Sequence, residues 1–350
     1  MNEGQASLVS HAWHVYRGTG EPHEGIEMLP APPPWRVPSA AESPYGRRVL
    51  DTRLRGAVYQ VTPQIVDVVN AALYLRRPLL VTGPPGSGKS TLAYHVAHEL
   101  QLGRVLNWPI TSRSTLRDGL YAYDALGRLQ DANLRARTPD PDQGMSVVGR
   151  PAPPAQDIGM YLQLGPLGTA LLPARVPRVL LIDEIDKSDP DLPNDLLNIF
   201  EEGEFVIPEL ARLNSPEAEV QVYDNPGERV RIKQGRVRAE AFPFTVLTSN
   251  GEREFPAAFL RRCLRLDLPE PDLDLLVRIV EAHLGREAVE RGAALIEEFV
   301  RRRPTEVLAT DQLLNAVYLL LRDGLGDGFR DIREGDGVLR TVLRRLDPGF

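Results

Sequence analysis

A segment near the first quarter of the chain has the residue types and the spacing of a phosphate-binding loop: Gly83, Pro84, Pro85, Gly86, Ser87, Gly88, Lys89 and Ser90. The glycines let successive backbone N–H groups turn inward and form a concavity that binds anions. Lys89 would reach the β- and γ-phosphates, and the Ser90 hydroxyl would coordinate Mg²⁺. A Gly/Pro turn beside a surface lysine would explain the glycines, but not the Lys-Ser-Thr sequence directly behind them. The segment therefore predicts a site for a nucleoside triphosphate.

The residues on either side of this loop have the order that such a site needs. Residues 79–82 are an apolar, strand-like run, and the chain from Thr91 onward is helix-like. The amino terminus of a helix carries free N–H groups and partial positive charge, which favour a bound anion. We therefore extend the predicted nucleotide-binding residues from Gly83 to Thr91, with ATP as the expected nucleotide.

Two adjacent acids, Asp183 and Glu184, stand in the second segment that could do chemistry, RVLLIDEID (Arg178–Asp186). A continuous apolar run is typical of a strand buried on both faces of a parallel sheet, and ligands bind beyond the carboxyl ends of such strands. One carboxylate there can hold Mg²⁺, and its neighbour can orient or deprotonate an attacking water. We assign the metal to Asp183 and the catalytic base to Glu184. Without the phosphate loop, a solvated acidic strand end would be the simpler interpretation.

The same DEID sequence resembles the D-E-x-D box of two-domain helicases, so that class has to be considered. Such helicases need a second nucleotide-facing α/β domain, whereas the residues after the last predicted strand have helical patterns. The chain contains no N-K-x-D or T-K-x-D guanine box and no L-S-G-G-Q-like transporter signature. We therefore interpret Asp186 as the start of the loop that leads to the next helix.

The composition excludes several classes of protein. The chain has 350 residues, a net charge of −7 and one cysteine. An acidic balance argues against nucleic acid as a partner, and a single cysteine permits no intramolecular disulfide, which fits a reducing compartment. The first residues lack the layout of a signal peptide, and no apolar run approaches the ~20 residues that span a bilayer. We expect a cytoplasmic globular protein that does not involve a membrane.

Strand-like and helix-like segments alternate along the chain, which predicts an α/β fold with a doubly wound parallel sheet, followed by an all-helical domain. Residues 1–57 form a proline-rich arm, residues 58–268 the α/β core, and residues 269–350 a domain of four helical segments. Two insertions interrupt the core, near residues 136–160 and 207–240, and the second has the alternation of a β-hairpin. We also expect one helix from Leu116 to about Leu134.

Longer stretches of the sequence carry a resemblance to a known family. VLLIDEIDKSDPDLPNDLLNIFEEGEF and FTVLTSNGEREFPAAFLRRC resemble the MoxR-type branch of the AAA+ ATPases, as does TSRSTLRDGLYAYDALGRLQDANL. The resemblance covers residues 58–268, and the helical tail by its layout only. It implies a P-loop NTPase core with a helical lid, Mg²⁺-dependent ATP hydrolysis, and assembly into a homo-oligomeric ring, usually of six subunits. Members are similar to chaperone-type machines that remodel a protein client, often with a von Willebrand factor A-domain partner.

The resemblance also implies roles for residues outside the phosphate loop and the pair of acids. Its polar sensor of the γ-phosphate corresponds to Asn250, and its arginine finger, which acts on the neighbouring subunit, to Arg262 or Arg261. We prefer Arg262, because it matches the position next to the small apolar residue. The two insertions would face the pore or the client. AAA+ lids often carry a second sensor arginine at the start of the third lid helix, which this sequence lacks, and Arg303 just upstream is the open alternative.

Three functions remain to be distinguished at this stage. The first is an ATP hydrolase whose ring assembly remodels a protein partner. The second is a regulatory switch that binds ATP, hydrolyses it slowly and signals by its assembly state. The third is a DNA-remodelling AAA+ protein, which the acidic net charge does not favour.

Overall fold

A computed structural model gives the fold of the chain. It describes residues 59, 61–137, 158–213, 217–225, 227–303, 306, 308–321 and 342–343. The predicted arm at residues 1–57 lies outside the described residues, and so does most of the insertion predicted near residues 136–160.

The helices and strands alternate through the first three quarters of the chain. The strands are β1 (Leu79–Thr82), β2 (Val105–Pro109), β3 (Tyr121–Tyr123), β4 (Leu162–Leu164), β5 (Val179–Asp183), β6 (Glu204–Val206), β7 (Glu217–Gln221), β8 (Arg229–Lys233), β9 (Arg236–Arg238), β10 (Phe244–Ser249) and β11 (Leu264–Asp267). The α-helices are α1 (Pro63–Leu75), α2 (Lys89–Glu99), α3 (Leu116–Leu120), α4 (Ala125–Arg137), α5 (Pro166–Ala170), α6 (Leu192–Glu202), α7 (Pro208–Ala211), α8 (Ala257–Leu260), α9 (Leu273–Leu284), α10 (Arg286–Arg302) and α11 (Thr310–Leu320).

Five parallel strands form the main sheet, in the order β11-β1-β10-β5-β2. Every residue of β10 is buried, and so are the first four residues of β5, because helices cover both faces of the sheet. The carboxyl ends of β1, β5 and β10 lie at one edge, where ligands of such sheets bind. The predicted α/β class with a parallel sheet is confirmed.

A second sheet of six strands, in the order β3-β4-β7-β8-β9-β6, lies beside the first. The predicted hairpin near residues 207–240 supplies β7, β8 and β9, with the short helix α7 before them. The antiparallel pairing of β9 with β6 and the parallel pairing of β7 with β4 join this excursion to the core. The sequence patterns do not predict a sheet of this extent, because most of its strands are only three to five residues long.

The prediction of one helix from Leu116 to about Leu134 is wrong. Helix α3 ends at Leu120, a short strand follows, and α4 begins at Ala125. The buried Tyr121 at the start of this strand pairs with Leu164 of β4. Pairing with a distant strand therefore overrides the local helical pattern of this segment.

The described helices of the tail, α9, α10 and α11, bury apolar side chains in a cluster of their own, centred on Leu276, Leu295, Phe299 and Leu313. Three of the four predicted helical segments are thus present, while the fourth lies almost entirely outside the described residues. Within the described ranges, no helix combines the length and the apolar character that crossing a bilayer requires.

The close approach of α5 to the end of α3 yields a prediction about stability. A Cβ added at Gly168 in the buried helix α5 would stand 2.0 Å from the backbone oxygen of Leu120. Because overpacking a core costs about 1–3 kcal/mol, we expect Gly168→Ala to lower the free energy of unfolding by about that amount in a urea titration. Gly227→Ala is the matched control, because its Cβ would meet nothing closer than 3.9 Å. Equal stabilities of the two variants would contradict this packing.

Candidate nucleotide-binding site

The loop between β1 and α2 has a backbone conformation that depends on glycine. Gly86 and Gly88 have φ angles of 76° and 85°, in the region that side chains rarely adopt. A Cβ at Gly86 would also stand 2.6 Å from the backbone nitrogen of Thr310, and one at Gly88 would stand 3.0 Å from the ring of Tyr59. The loop is therefore enclosed by Tyr59 on one side and by the start of α11 on another.

Lys89, the first residue of α2, is buried within the loop, with 8% of its surface exposed. Its Nζ donates hydrogen bonds of 2.8 Å to the carbonyl oxygens of Gly83 and Pro84. Burial lowers the pKa of the Lys89 ammonium, and the carboxylates of Asp186, Asp183 and Glu184 oppose that shift. The loop thus holds a partly desolvated positive charge at its centre, which suits an anionic ligand.

One carboxylate oxygen joins this loop to the main sheet. Asp183 Oδ1 accepts a hydrogen bond of 2.6 Å from the hydroxyl of Ser90 and another of 2.6 Å from the hydroxyl of Thr248. The Thr248 hydroxyl in turn accepts a 2.8 Å hydrogen bond from the backbone N–H of Glu184. The sequence interpretation missed Thr248, although it is a polar residue in an otherwise apolar strand, two positions before Asn250.

The oxygen atoms of Ser90 and Asp183 fit the ligand preferences of Mg²⁺. Hydroxyl and carboxylate oxygens are hard donors of the kind that bind this ion together with phosphate oxygens and waters. A second observation concerns the nucleotide: the hydroxyl of Ser87 is buried, and no described residue forms a hydrogen bond with it. A phosphate oxygen in the loop would give this donor the partner that buried polar groups require.

Glu184 turns away from the strand at the sheet edge. Its backbone has φ 61° and ψ 50°, a left-handed conformation that is uncommon for a residue other than glycine. Its carboxylate accepts a 2.8 Å hydrogen bond from Lys187 Nζ, and this bond raises the pKa of Lys187. Sequence reasoning assigned no role to Lys187, which lies one turn after the predicted base.

Asn250 is the first residue after β10, and it lines the same cavity as the loop and the two acids. Its backbone N–H donates to the buried carboxylate of Asp186 over 2.9 Å. The structure thus brings Asn250, which the family resemblance singled out, to the same cavity as Asp183 and Glu184.

Arg261 and Arg262 do not line this cavity in the part of the chain that the structure describes. Arg262 Nε forms an ion pair with Glu201 on α6, and its Nη1 donates to the carbonyl of Ala258 over 3.2 Å. Its side chain is 38% exposed. An arginine in this position could act only on a nucleotide bound elsewhere.

Arg303 also lies outside the described lining of the cavity. Its guanidinium donates to the carbonyl of Pro271 over 2.7 Å and to the hydroxyl of Thr310 over 3.3 Å, and it lies 4.7 Å from the centre of the Phe299 ring. Burial lowers its pKa. Arg303 therefore connects the start of α11 to the segment before α9, and its guanidinium does not contact the nucleotide cavity.

The cavity has a volume of about 630 Å³, within the range of sites for small molecules. Pro85 through Thr91 line it, whereas Gly83 and Pro84 do not and instead offer their carbonyl oxygens to Lys89. Part of its lining is apolar, which suits a flat base. Sequence reasoning missed this part because its residues come from four separate segments: Ile65, Leu268, Ile279 and Leu314.

Comparison with known proteins identifies the family of this site. A family model described as the AAA domain, dynein-related subfamily, matches residues 78–263, which is more than half of the chain. The chain belongs to this AAA family. The AAA+ P-loop NTPase core predicted from the sequence is thereby confirmed.

Two individual proteins are similar to the chain over longer stretches. The gas vesicle ATPase GvpN1 of Halobacterium salinarum is 28% identical over 217 residues, which cover 61% of this chain and 52% of that protein. The chain thus spans about half the length of the curated relative it matches. A crystal structure of NtrX from Brucella abortus in complex with ATP aligns with 79% of this chain and 56% of its own, at 14% identity and a TM-score of 0.39. The family match supports ATP hydrolysis by this chain.

The position of Thr248 leads to a prediction about magnesium. Thr248→Val keeps the shape of the side chain but removes the hydrogen bond to Asp183 and the acceptor for the Glu184 N–H. Because hydrogen bonds to charged groups are worth about 1.5–3 kcal/mol, we expect the Mg²⁺ concentration for half-maximal nucleotide binding to rise about tenfold. Titration calorimetry at fixed nucleotide measures it. Thr245→Val, at a buried threonine of the same strand outside the cavity, should leave the Mg²⁺ titration curve unchanged. An unchanged curve for Thr248→Val would show that this threonine does not support the metal site.

Proposed function

We propose that this chain is a Mg²⁺-dependent ATP hydrolase of the MoxR-type AAA+ class, which works as a ring-shaped homo-oligomer and remodels a protein partner in the cytoplasm. The observation that carries the catalytic part is the 2.6 Å contact between Ser90 of the phosphate loop and Asp183 at the end of β5. It places the predicted metal ligands together, with Glu184 and Asn250 lining the same cavity.

Each residue of the site has a defined role in this proposal. The loop N–H groups from Gly86 onward and the Lys89 ammonium bind the phosphates, while Ser90 and Asp183 would hold Mg²⁺. When bound, the ion would neutralise charge on the phosphate oxygens. Glu184 accepts the proton of the attacking water, and the Asn250 amide holds that water beside the γ-phosphate.

The helical tail is proposed as a lid over this site, within the division into an arm (1–57), a core (58–268) and a lid (269–350). The close approach of Thr310 to Gly86 supports this arrangement, because the start of α11 lies directly against the phosphate loop. The cavity is also lined by Leu275 and Ile279 of α9. A nucleotide that contacts both parts would be released or held according to their relative position.

The location of Arg262 supports ring assembly in this proposal. Its side chain is partly exposed and outside the cavity of its own chain, as a finger that acts on a neighbouring subunit would be. The two insertions, near residues 136–160 and 207–240, would contact the client, and the family resemblance implies a von Willebrand factor A-domain protein as a partner. The similarity to a gas vesicle ATPase supports the ATPase activity and does not name the client of this chain.

A slow ATP-dependent switch is the second candidate, and the ion pair between Glu184 and Lys187 favours it. A base whose carboxylate is held by an ammonium would deprotonate water slowly until the pair opens. Turnover measured with and without a protein partner distinguishes the two functions, because a remodelling machine should be stimulated and a switch should stay slow.

Replacement of the base tests the assignment of Glu184. Glu184→Gln keeps the shape of the side chain but cannot accept a proton, so the variant should bind Mg²⁺–ATP normally and lose about 10²–10⁴-fold in turnover. The bound nucleotide should accumulate as ATP, which chromatography of the quenched complex measures. Glu202→Gln is a control on an exposed acid outside the cavity. Near-normal hydrolysis by Glu184→Gln would assign the base to another residue.

Mixed subunits test whether Arg262 acts in trans. A guanidinium that stabilises the transferring phosphoryl group is worth about 10³–10⁵ in rate, so Arg262→Ala should bind ATP and hydrolyse it far more slowly. Lys89→Ala should be inactive because it loses the charge at the phosphates. A mixture of the two should regain activity, since the intact cavity of an Arg262→Ala subunit meets the finger of a Lys89→Ala neighbour.

The same mixture can contradict the choice of arginine. If Arg261→Ala is the inactive variant and Arg262→Ala is not, the finger is Arg261. If neither substitution changes turnover, the proposed ring catalysis is wrong.

A further inference from the structure

Asp186 is a buried acid that the proposed mechanism does not use. It is 3% exposed and is not among the residues that line the nucleotide cavity. Its Oδ2 atom accepts two hydrogen bonds, from the backbone N–H of Asn250 over 2.9 Å and from that of Glu252 over 3.1 Å. Removal of a carboxylate from water is costly, so such a group persists only where its hydrogen bonds are specific.

Both donors belong to the turn that follows β10. Strand β10 ends at Ser249, so the hydrogen bonds of the sheet do not reach the turn, whose Gly251 has a φ angle of 79°. A second bond joins the same two loops: Arg253 donates to the carbonyl of Ser188 over 2.7 Å. The position of Asn250 in the cavity therefore depends on contacts with the loop after β5, and Asp186 accepts two of these three hydrogen bonds.

We propose that Asp186 is a positioning residue, which sets the location of the Asn250 amide at the γ-phosphate end of the cavity by holding its backbone N–H. The inference rests on the proposed role of Asn250. It assigns to Asp186 a task different from those of Asp183 and Glu184, because Asp186 acts through the backbone of the neighbouring loop and does not face the nucleotide.

The second oxygen of Asp186 allows a test that separates position from charge. No described residue donates a hydrogen bond to Oδ1. Asp186→Asn can therefore keep an oxygen at the position of Oδ2, with both backbone hydrogen bonds, and place its amide nitrogen where Oδ1 was. Asp186→Glu keeps the negative charge but extends the side chain by one methylene, which displaces the carboxylate from the turn. The charge is relevant because the same carboxylate acts on Lys89.

Steady-state ATP hydrolysis by the full chain gives the readout. We expect Asp186→Ala and Asp186→Glu to lower kcat by about 10²-fold, the effect of misplacing a catalytic group by about 1 Å, with KM for ATP unchanged. Asp186→Asn should retain most of the wild-type kcat. Asp189→Ala is the matched control, because it removes an exposed acid of the same loop that caps a single backbone N–H. A low kcat of Asp186→Asn together with a normal kcat of Asp186→Glu would overturn the proposal, since the charge of the side chain and not its position would then matter.

A double-mutant cycle with Asn250→Ala separates this inference from the proposed function. If Asp186 acts through Asn250, the Asp186→Ala/Asn250→Ala double variant should be no slower than Asn250→Ala alone. Additive losses would overturn the positioning role, and so would wild-type turnover by Asp186→Ala beside a slow Asn250→Ala. Wild-type turnover by Asn250→Ala would instead overturn the role of Asn250 in the proposed function. If Asp186→Ala does not fold, as judged by thermal unfolding, the Asn and Glu variants decide the question.

Discussion

The hydrogen bonds to Asp183 Oδ1 are the interaction on which the rest of the site depends. Through this single atom, the hydroxyl of Ser90 in the phosphate loop and that of Thr248 in β10 are held at the end of β5. The order β1-β10-β5 in the main sheet makes this possible, because it places β10 between the strand that leads into the loop and the strand that carries the acids. Binding of a metal ion between these oxygens and a phosphate would therefore depend on the alignment of three strands.

The loops beyond this atom form a second layer that supports it. Asp186 and the carbonyl of Ser188 hold the turn after β10, and the Glu184 N–H is held by Thr248. These contacts are hydrogen bonds between loops that follow neighbouring strands of the main sheet. Thr310 against Gly86 connects the helical tail to the phosphate loop, and within the tail Arg303 donates to both Pro271 and Thr310. The cavity is thus enclosed by parts of the chain that are distant in sequence.

Much of the catalytic core could be predicted from local patterns. The phosphate loop depends on glycines within eight residues, and the acids follow directly from the burial of β5, so both are visible in short stretches of sequence. The prediction of a helix from Leu116 to Leu134 is wrong for the opposite reason. Strand β3 forms there because it pairs with β4, about forty residues away in the chain. A pattern within one segment carries no information about such a partner.

The sequence by itself determined the AAA+ class and the parallel α/β sheet, and it predicted a phosphate loop at residues 83–91 and the acids Asp183 and Glu184. Each of these depends on residue types and spacing within one strand, loop or helix. Only the tertiary structure decided which polar groups are partners. Thr248 forms hydrogen bonds with both Asp183 and Glu184, and Glu184 also pairs with Lys187. Arg303 donates to Pro271 and Thr310, and Asp186 holds the turn of Asn250. The physical reason is that hydrogen bonds reach only about 3 Å, so the partner of a polar group is set by how separate elements pack and not by its neighbours in the chain.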